Sequence, residues 1–376
     1  MFITAQFDSG NIEVIEANEA SSIQLAIRQD NQSDFYQWFH FKLYGEPGVE
    51  HVMHITNAGQ SAYPDGWKDY SALASYDREN WFRVPTEYNG RELVIRHTPD
   101  QESVYYAYFT PYSYERHQDL IQWAQQSIEC QHVLLGPTLD GRDMNLLVIG
   151  EPADHKAKIW VTARQHPGET MAEWFMEGFL SRLLDDEDAA ARKLLENNVF
   201  YVVPNMNPDG SVRGHLRTNA VGVNLNREWA EPSLEKSPEV FYVLNAMQET
   251  GVDFYLDVHG DEALPYNFVA GCEGVPSYND RTHALGEKFK QVLLSITPEF
   301  QVEYGYDVDK PGEANLTVAS NAVSERFNCL AFTLEMPFKD NANLPDADFG
   351  WSANRSQQFG ADVVSAIYAI GNNLRD

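Results

Sequence analysis

The chain has 376 residues, with 27 Lys or Arg against 56 Asp or Glu, giving a net charge of −29. So acidic a surface repels nucleic acid and anionic membranes, which excludes a general role on either. The hydrophobic share of 43% is that of an ordinary folded chain, and the length allows about two to three domains.

Three cysteines, Cys130, Cys272 and Cys329, lie far apart with no CxxC spacing, so neither a disulfide framework nor a thiolate metal site is expected. The opening MFITAQFDSGNIEV has no basic stretch leading into an apolar one and does not read as a signal peptide. No apolar run approaches ~18 residues, so no membrane-spanning helix is expected. Together these features predict a reduced, cytoplasmic protein.

Residues 1–113 read as β-rich. Runs at 35–43, 51–56 and 92–97 are aromatic or β-branched with partial alternation, and turn clusters such as Gly45-Glu46-Pro47-Gly48 separate them. Short strands at this spacing predict a small antiparallel sandwich. From residue 114 the character changes. Residues 116–129 predict a helix, and the apolar runs at 145–150, 158–163, 198–203, 254–258 and 330–334 have the form of strands buried on both faces. Between them, Met171, Trp174, Phe175, Gly178, Phe179 and Leu183 recur at helical spacing. This alternation predicts an α/β domain over residues 114–376, with a mostly parallel or mixed sheet.

Chemistry-bearing residues gather at the ends of those strands. His166-Pro167-Gly168-Glu169 follows one, where α/β folds place ligands, although alone it reads equally as a polar helix start. Asp257-Val258-His259-Gly260 ends another. Two histidines and a glutamate on separate strand ends can form a His2Glu zinc site with its fourth position open, which makes water acidic and polarises a carbonyl. Glu335 leaves the apolar strand before Met336-Pro337, which is costly unless it is paired or faces a cleft; it reads as a general base or as a cap. In the segments 213–219 and 222–229, arginine beside asparagine can grip a carboxylate, and a further arginine can hold an oxyanion. Singly, these are equally surface salt-bridge residues.

In their order, His166-Pro167-Gly168-Glu169, Pro204-Asn205-Met206-Asn207-Pro208-Asp209-Gly210, Gly222-Val223-Asn224-Leu225-Asn226-Arg227, His259 and Glu335 resemble the zinc metallocarboxypeptidases. Phe7-Asp8-Ser9-Gly10-Asn11, Trp81-Phe82-Arg83-Val84-Pro85 and Phe109-Thr110-Pro111-Tyr112-Ser113-Tyr114 resemble the cytosolic carboxypeptidase subfamily. The resemblance implies an α/β/α sandwich around a mixed eight-stranded sheet, preceded by a smaller antiparallel β-sandwich. It implies one Zn2+ per chain held by His166, Glu169 and His259, with Glu335 as general base and acid toward the zinc water. Arg217 would polarise the scissile carbonyl, and Asn226 and Arg227 would bind the terminal carboxylate. The implied activity is removal of residues from the C-terminus of a peptide or protein tail. Two alternatives stay open: an aspartoacylase-like amidohydrolase of small acylated amino acids, and an inactive relative that binds tails. Family members that remove glutamate carry a basic pocket residue shortly before the catalytic glutamate. Residues 317–325 hold none here, and Lys310 and Arg326 flank them. Tyr304 and Tyr306 fall in the stretch of the family's loop tyrosine, which covers bound substrate.

Overall fold

The computed structural model describes residues 1–375. Ten short strands form two sheets in the amino-terminal part. One has the order β1 (Phe2–Thr4), β4 (His40–Tyr44), β10 (Ser103–Ala107), β6 (Leu73–Ser75), β7 (Trp81–Arg83). The other has the order β2 (Glu13–Glu19), β3 (Ser22–Ala26), β5 (His51–Ile55), β9 (Leu93–His97), β8 (Thr86–Tyr88). The pairing is antiparallel except between β3 and β5, which run parallel. Alternation decides the inner faces: Ile23, Leu25, Met53 and Ile55 from one sheet meet Phe41, Leu43, Val104 and Tyr106 from the other in one core. The strand expected over residues 35–43 begins only at His40. Before it, the Gln37 amide accepts from Tyr63 N at 2.8 Å and donates to Tyr63 O at 3.0 Å, so a side chain replaces the ladder.

The second part is a mixed sheet of order β11 (Cys130–Pro137), β12 (Asp143–Ile149), β14 (Asn198–Val203), β13 (Ala157–Ala163), β15 (Phe254–Asp261), β17 (Leu330–Pro337), β16 (Phe268–Ala270). The strands β14, β13, β15 and β17 are mutually parallel. Helices α1 (Tyr114–Ala124), α2 (Met171–Leu183), α3 (Ala189–Asn197), α6 (Asp280–Ile296) and α8 (Ala353–Gly371) pack on one face. The helices α5 (Pro238–Thr250) and α7 (Ala319–Phe327) cover the other, and α4 (Pro208–Arg213) follows β14. Ile159 and Val161 of β13 point to the first face and Trp160 to the second, which is why these strands are apolar throughout. Where α2 and α8 cross, a Cβ on Gly178 would lie 1.8 Å from Gln357 O, and one on Gly360 2.1 Å from Phe175 O, so only glycine allows the approach.

The sheet has seven strands rather than the eight expected. Beyond β16, the edge carries an isolated parallel bridge between Asn267 and Phe300 instead of a further strand. The side chain of Gln301 accepts from Glu303 N at 2.8 Å and Tyr304 N at 2.7 Å, curling the chain away before a ladder can extend.

The sandwich core and the α2/α8 face form one continuous hydrophobic cluster. Tyr108 stacks on Phe338 with ring centroids 4.5 Å apart. The Arg83 guanidinium donates to the carbonyls of Phe338, Phe349 and Trp351. Among the described residues no helix is long and apolar enough to cross a membrane, and the three cysteines are free.

Candidate metal centre and cleft

The strand β13 stops at Ala163 because Arg164 takes a left-handed conformation, φ 57°. The buried Arg164 guanidinium pays for that strain: it donates to Pro167 O at 3.0 Å and Tyr112 O at 2.9 Å, and pairs with Glu173 of α2 at 2.6 Å. Glu173 also meets His117 Nδ1 at 2.7 Å and Asn205 Nδ2 at 3.0 Å. This network fixes the segment that carries His166 and Glu169 to α2 and α1.

His259 arrives from β15, and its backbone pairs in register with Glu335 of β17. Donor atoms of His166, Glu169 and His259, all buried, lie within 4.8 Å of one another. The Nδ1 atom of His166 is 2.6 Å from Glu169 Oε1, and that of His259 is 2.8 Å from Glu169 Oε2. The two Nδ1 atoms are themselves 3.2 Å apart.

The opposite ring nitrogens are held from outside. His259 Nε2 donates to Asp257 Oδ2 at 2.8 Å, and His166 Nε2 to Asn224 Oδ1 at 3.1 Å. Asn224 Oδ1 also accepts from Asn226 N, which assigns that atom as oxygen. With Nε2 protonated, each Nδ1 turns a lone pair toward an anionic carboxylate, an arrangement that calls for a cation between them. Two imidazoles and one carboxylate suit Zn2+ and leave its remaining coordination open. The two rings shift in opposite directions. Burial, reinforced by Arg217, pushes His166 down to about 4. Burial opposes the charge on His259, but Asp257 and Glu169 hold it well above its ordinary value. Burial alone would raise Glu169, yet the two imidazoles hold it below the usual carboxylate range.

These residues open into a cavity of about 770 Å³ that also takes in Arg217, Asn226, Arg227 and Glu335. Glu335 Oε2 is buried with no hydrogen-bond partner, and burial holds this carboxyl well above its usual range. Its Oε1 accepts from the Tyr306 hydroxyl at 3.0 Å, which also reaches Asp261 Oδ2 at 2.7 Å. Of the two loop tyrosines, Tyr306 therefore meets Glu335, whereas Tyr304 stacks on Tyr266 at 4.4 Å. Asn226 turns Oδ1 to Ala319 N at 2.8 Å, leaving its NH2 for the cavity. Burial and the neighbouring Arg217 charge lower Arg227, the signature of two cations gathered without an anion.

Arg213 lies apart, in a bidentate pair with Asp140, and neither Lys310 nor Arg326 lines the cavity. Sequence reasoning passed over Tyr63, Glu262 and Glu273, which do line it. Asn224 and Asp257 stood inside quoted motifs, whereas Tyr63 comes from the sandwich and had no local signal.

Residues 3–109 match the cytosolic carboxypeptidase N-terminal domain, and residues 117–359 match the zinc carboxypeptidase model. The chain belongs to the zinc carboxypeptidase family and is a peptidase of the metallocarboxypeptidase class. It is similar over its whole length to a metallo-carboxypeptidase from Pseudomonas aeruginosa solved with (2-guanidinoethylmercapto)succinic acid: 48% identity, TM-score 0.98, 100% of each chain. A Burkholderia cenocepacia metallo-carboxypeptidase is 48% identical, with TM-score 0.97 and 99% of each chain covered. Bovine cytosolic carboxypeptidase 3 is 27% identical over 76% of this chain, which spans 31% of that longer protein.

Proposed function

We propose that the protein removes residues from the C-terminus of peptides or protein tails, with Zn2+ held by His166, Glu169 and His259. One observation carries the reading: the buried, half-unpaired carboxylate of Glu335 shares a cavity with that donor cluster and with two arginines. Bound zinc would supply a Lewis acid for the scissile carbonyl and lower the pKa of water. Glu335 takes a proton from the water that adds to the carbonyl carbon, and passes it to the amine as the C–N bond breaks. Arg217 offers its guanidinium to the oxyanion, while Arg227 and the Asn226 amide bind the terminal carboxylate. Tyr306 closes over the reacting bond and tethers Glu335.

The cavity also suggests which residue is removed. Apart from the two arginines committed to anions, its titratable wall is acidic: Asp261, Glu262, Glu273, Glu303, Asp307 and Asp309. The cation Lys290 is paired with Glu287. Glu273 is half-buried and its carboxylate lies over Gly271, just beyond the β16 edge that pairs with Thr333 and Glu335. A terminal Lys or Arg side chain supplies the missing cation, and the guanidinium ligand of the Pseudomonas relative is of that kind. We read the chain as divided at residue 113 into sandwich and catalytic domain, and as a cytoplasmic protein with reduced thiols.

The test is a mixed peptide library followed by mass, with Glu335→Gln as control. Stepwise C-terminal losses, led by Lys and Arg and absent in the control, are expected. Preferential loss of Glu or Asp would refute the selectivity, and no loss at all the exopeptidase reading.

A further inference from the structure

The segment that carries Arg217, between α4 and a short 3-10 turn at Leu225–Arg227, belongs to neither a helix nor a strand. Gly168 N donates to its Leu216 O at 2.8 Å, but the densest set of bonds to it comes from the amino-terminal sandwich. The carboxylate of Asp30, only 2% exposed, accepts from three consecutive amides: Leu216 N at 2.7 Å, Arg217 N at 2.8 Å and Thr218 N at 2.9 Å. It takes the Thr218 hydroxyl at 3.1 Å as well. A carboxylate saturated by charge-assisted bonds to adjacent amides fixes backbone direction more tightly than any single contact.

Neighbouring residues repeat the clasp. Asn31 N donates to His215 Nε2 at 3.1 Å, and the other ring nitrogen donates to Thr218 O at 2.9 Å, so one tautomer serves both. Asn31 Nδ2 reaches Ala220 O at 2.7 Å, and Asn11 Nδ2 reaches Gly214 O at 2.8 Å. The Arg217 side chain is positioned by the same domain. Its guanidinium lies 5.6 Å from the ring of Phe35 and 5.4 Å from that of Tyr63. Aromatic faces orient a cation without neutralising it or occupying its N–H groups, so the fork stays available to an oxyanion.

We propose that Asp30 is a positioning residue for Arg217, making the sandwich a working part of the cleft rather than an appended module. This rests on reading Arg217 as the oxyanion arginine. Since a misplacement of about 1 Å in such a group can cost about 100-fold, loosening the clasp is felt in turnover before it is felt in binding.

The experiment is a double-mutant cycle on the zinc-loaded full chain, using a peptide substrate that the wild type cleaves. Asp30→Asn is expected to lower kcat about 30- to 100-fold with KM within about threefold of wild type and zinc content unchanged. In an Arg217→Ala background it should add less than about threefold, because the group it positions is gone. Phe35→Ala, which leaves the carboxylate intact, should lower kcat in the same direction by a smaller factor, and gives the answer should Asp30→Asn not fold. Calorimetric affinity for a phosphonate peptide analogue, whose tetrahedral anion imitates the oxyanion, should fall in parallel with kcat. Wild-type kcat in both single variants, or a full Asp30→Asn effect in the Arg217→Ala background, would overturn the proposal. Wild-type failure to cleave any peptide would instead overturn the functional reading, and unchanged phosphonate affinity in Asp30→Asn would still overturn this one.

Discussion

His259 and Glu335 are register partners on the adjacent parallel strands β15 and β17. Because successive strand residues alternate between faces, this pairing sends an imidazole and a carboxylate out at the same level of one sheet edge. The separation of the two groups is thereby set by backbone hydrogen bonds rather than by side-chain flexibility.

Glu335→Gln keeps that geometry and removes the proton acceptor. Turnover should fall by about 100- to 10,000-fold, with zinc stoichiometry by atomic absorption unchanged. A variant that loses zinc together with activity would show that Glu335 serves the metal instead.

Zinc should stabilise the fold, because its donors converge only when β13 and β15 are assembled. At a free zinc concentration about 1,000 times Kd the gain is about 4 kcal/mol. Scanning calorimetry should show Tm falling on chelation and recovering on zinc addition. In His259→Ala, added zinc should leave Tm nearly unmoved.

Glu273→Lys should reverse the charge at the end of the pocket. The ratio of kcat/KM for peptides ending in Arg to those ending in Glu should drop by at least about 10-fold, equivalent to about 1.4 kcal/mol. Peptides ending in Ala serve as the internal reference. An unchanged ratio would place the selecting residue elsewhere on the wall.

Glu173→Gln should be among the most destabilising single changes. It strips the buried Arg164 guanidinium of its charge partner, at a cost of about 3 to 5 kcal/mol by chemical denaturation. Zinc affinity should weaken too, since Arg164 braces Pro167 between His166 and Glu169, the two proposed ligands of that loop.

Glu239 supplies a pH dependence remote from the metal donors. Burial pushes its carboxyl up from 4.5 to about 8. Between those values the folded chain keeps a proton that the unfolded chain releases, so this group lowers stability as pH rises through the window. Glu239→Gln should therefore be more stable than wild type at pH 9, by on the order of 5 kcal/mol, and nearly equal to it at pH 4. Urea midpoints at the two pH values test the sign.

The strand-end clusters could be read directly because each follows an apolar run that marks a doubly buried strand. His166, Glu169, His259 and Glu335 are all of this kind, and the cavity holds all four. What stayed hidden depends on long-range packing. Asp30 is an unremarkable acid in a polar turn until the chain brings it to Leu216, 186 positions away. Tyr306 could not be separated from Tyr304 because only the folded loop shows which hydroxyl meets Glu335. The seven-strand count has the same origin: next to the bridge at Phe300 the Gln301 side chain bonds Glu303 N and Tyr304 N and curls the chain.

The glycine contact between α2 and α8 bears on how the protein is made. The helix α2 continues directly from the loop of His166 and Glu169, yet its flank at Phe175 and Phe179 is covered by a helix translated almost 180 residues later. Throughout that interval the nascent chain presents an uncovered aromatic ridge beside an unbraced donor loop, a surface that chaperones bind and proteases find. Metal acquisition is then expected to follow synthesis of α8, and the newborn enzyme stays silent until that helix has docked.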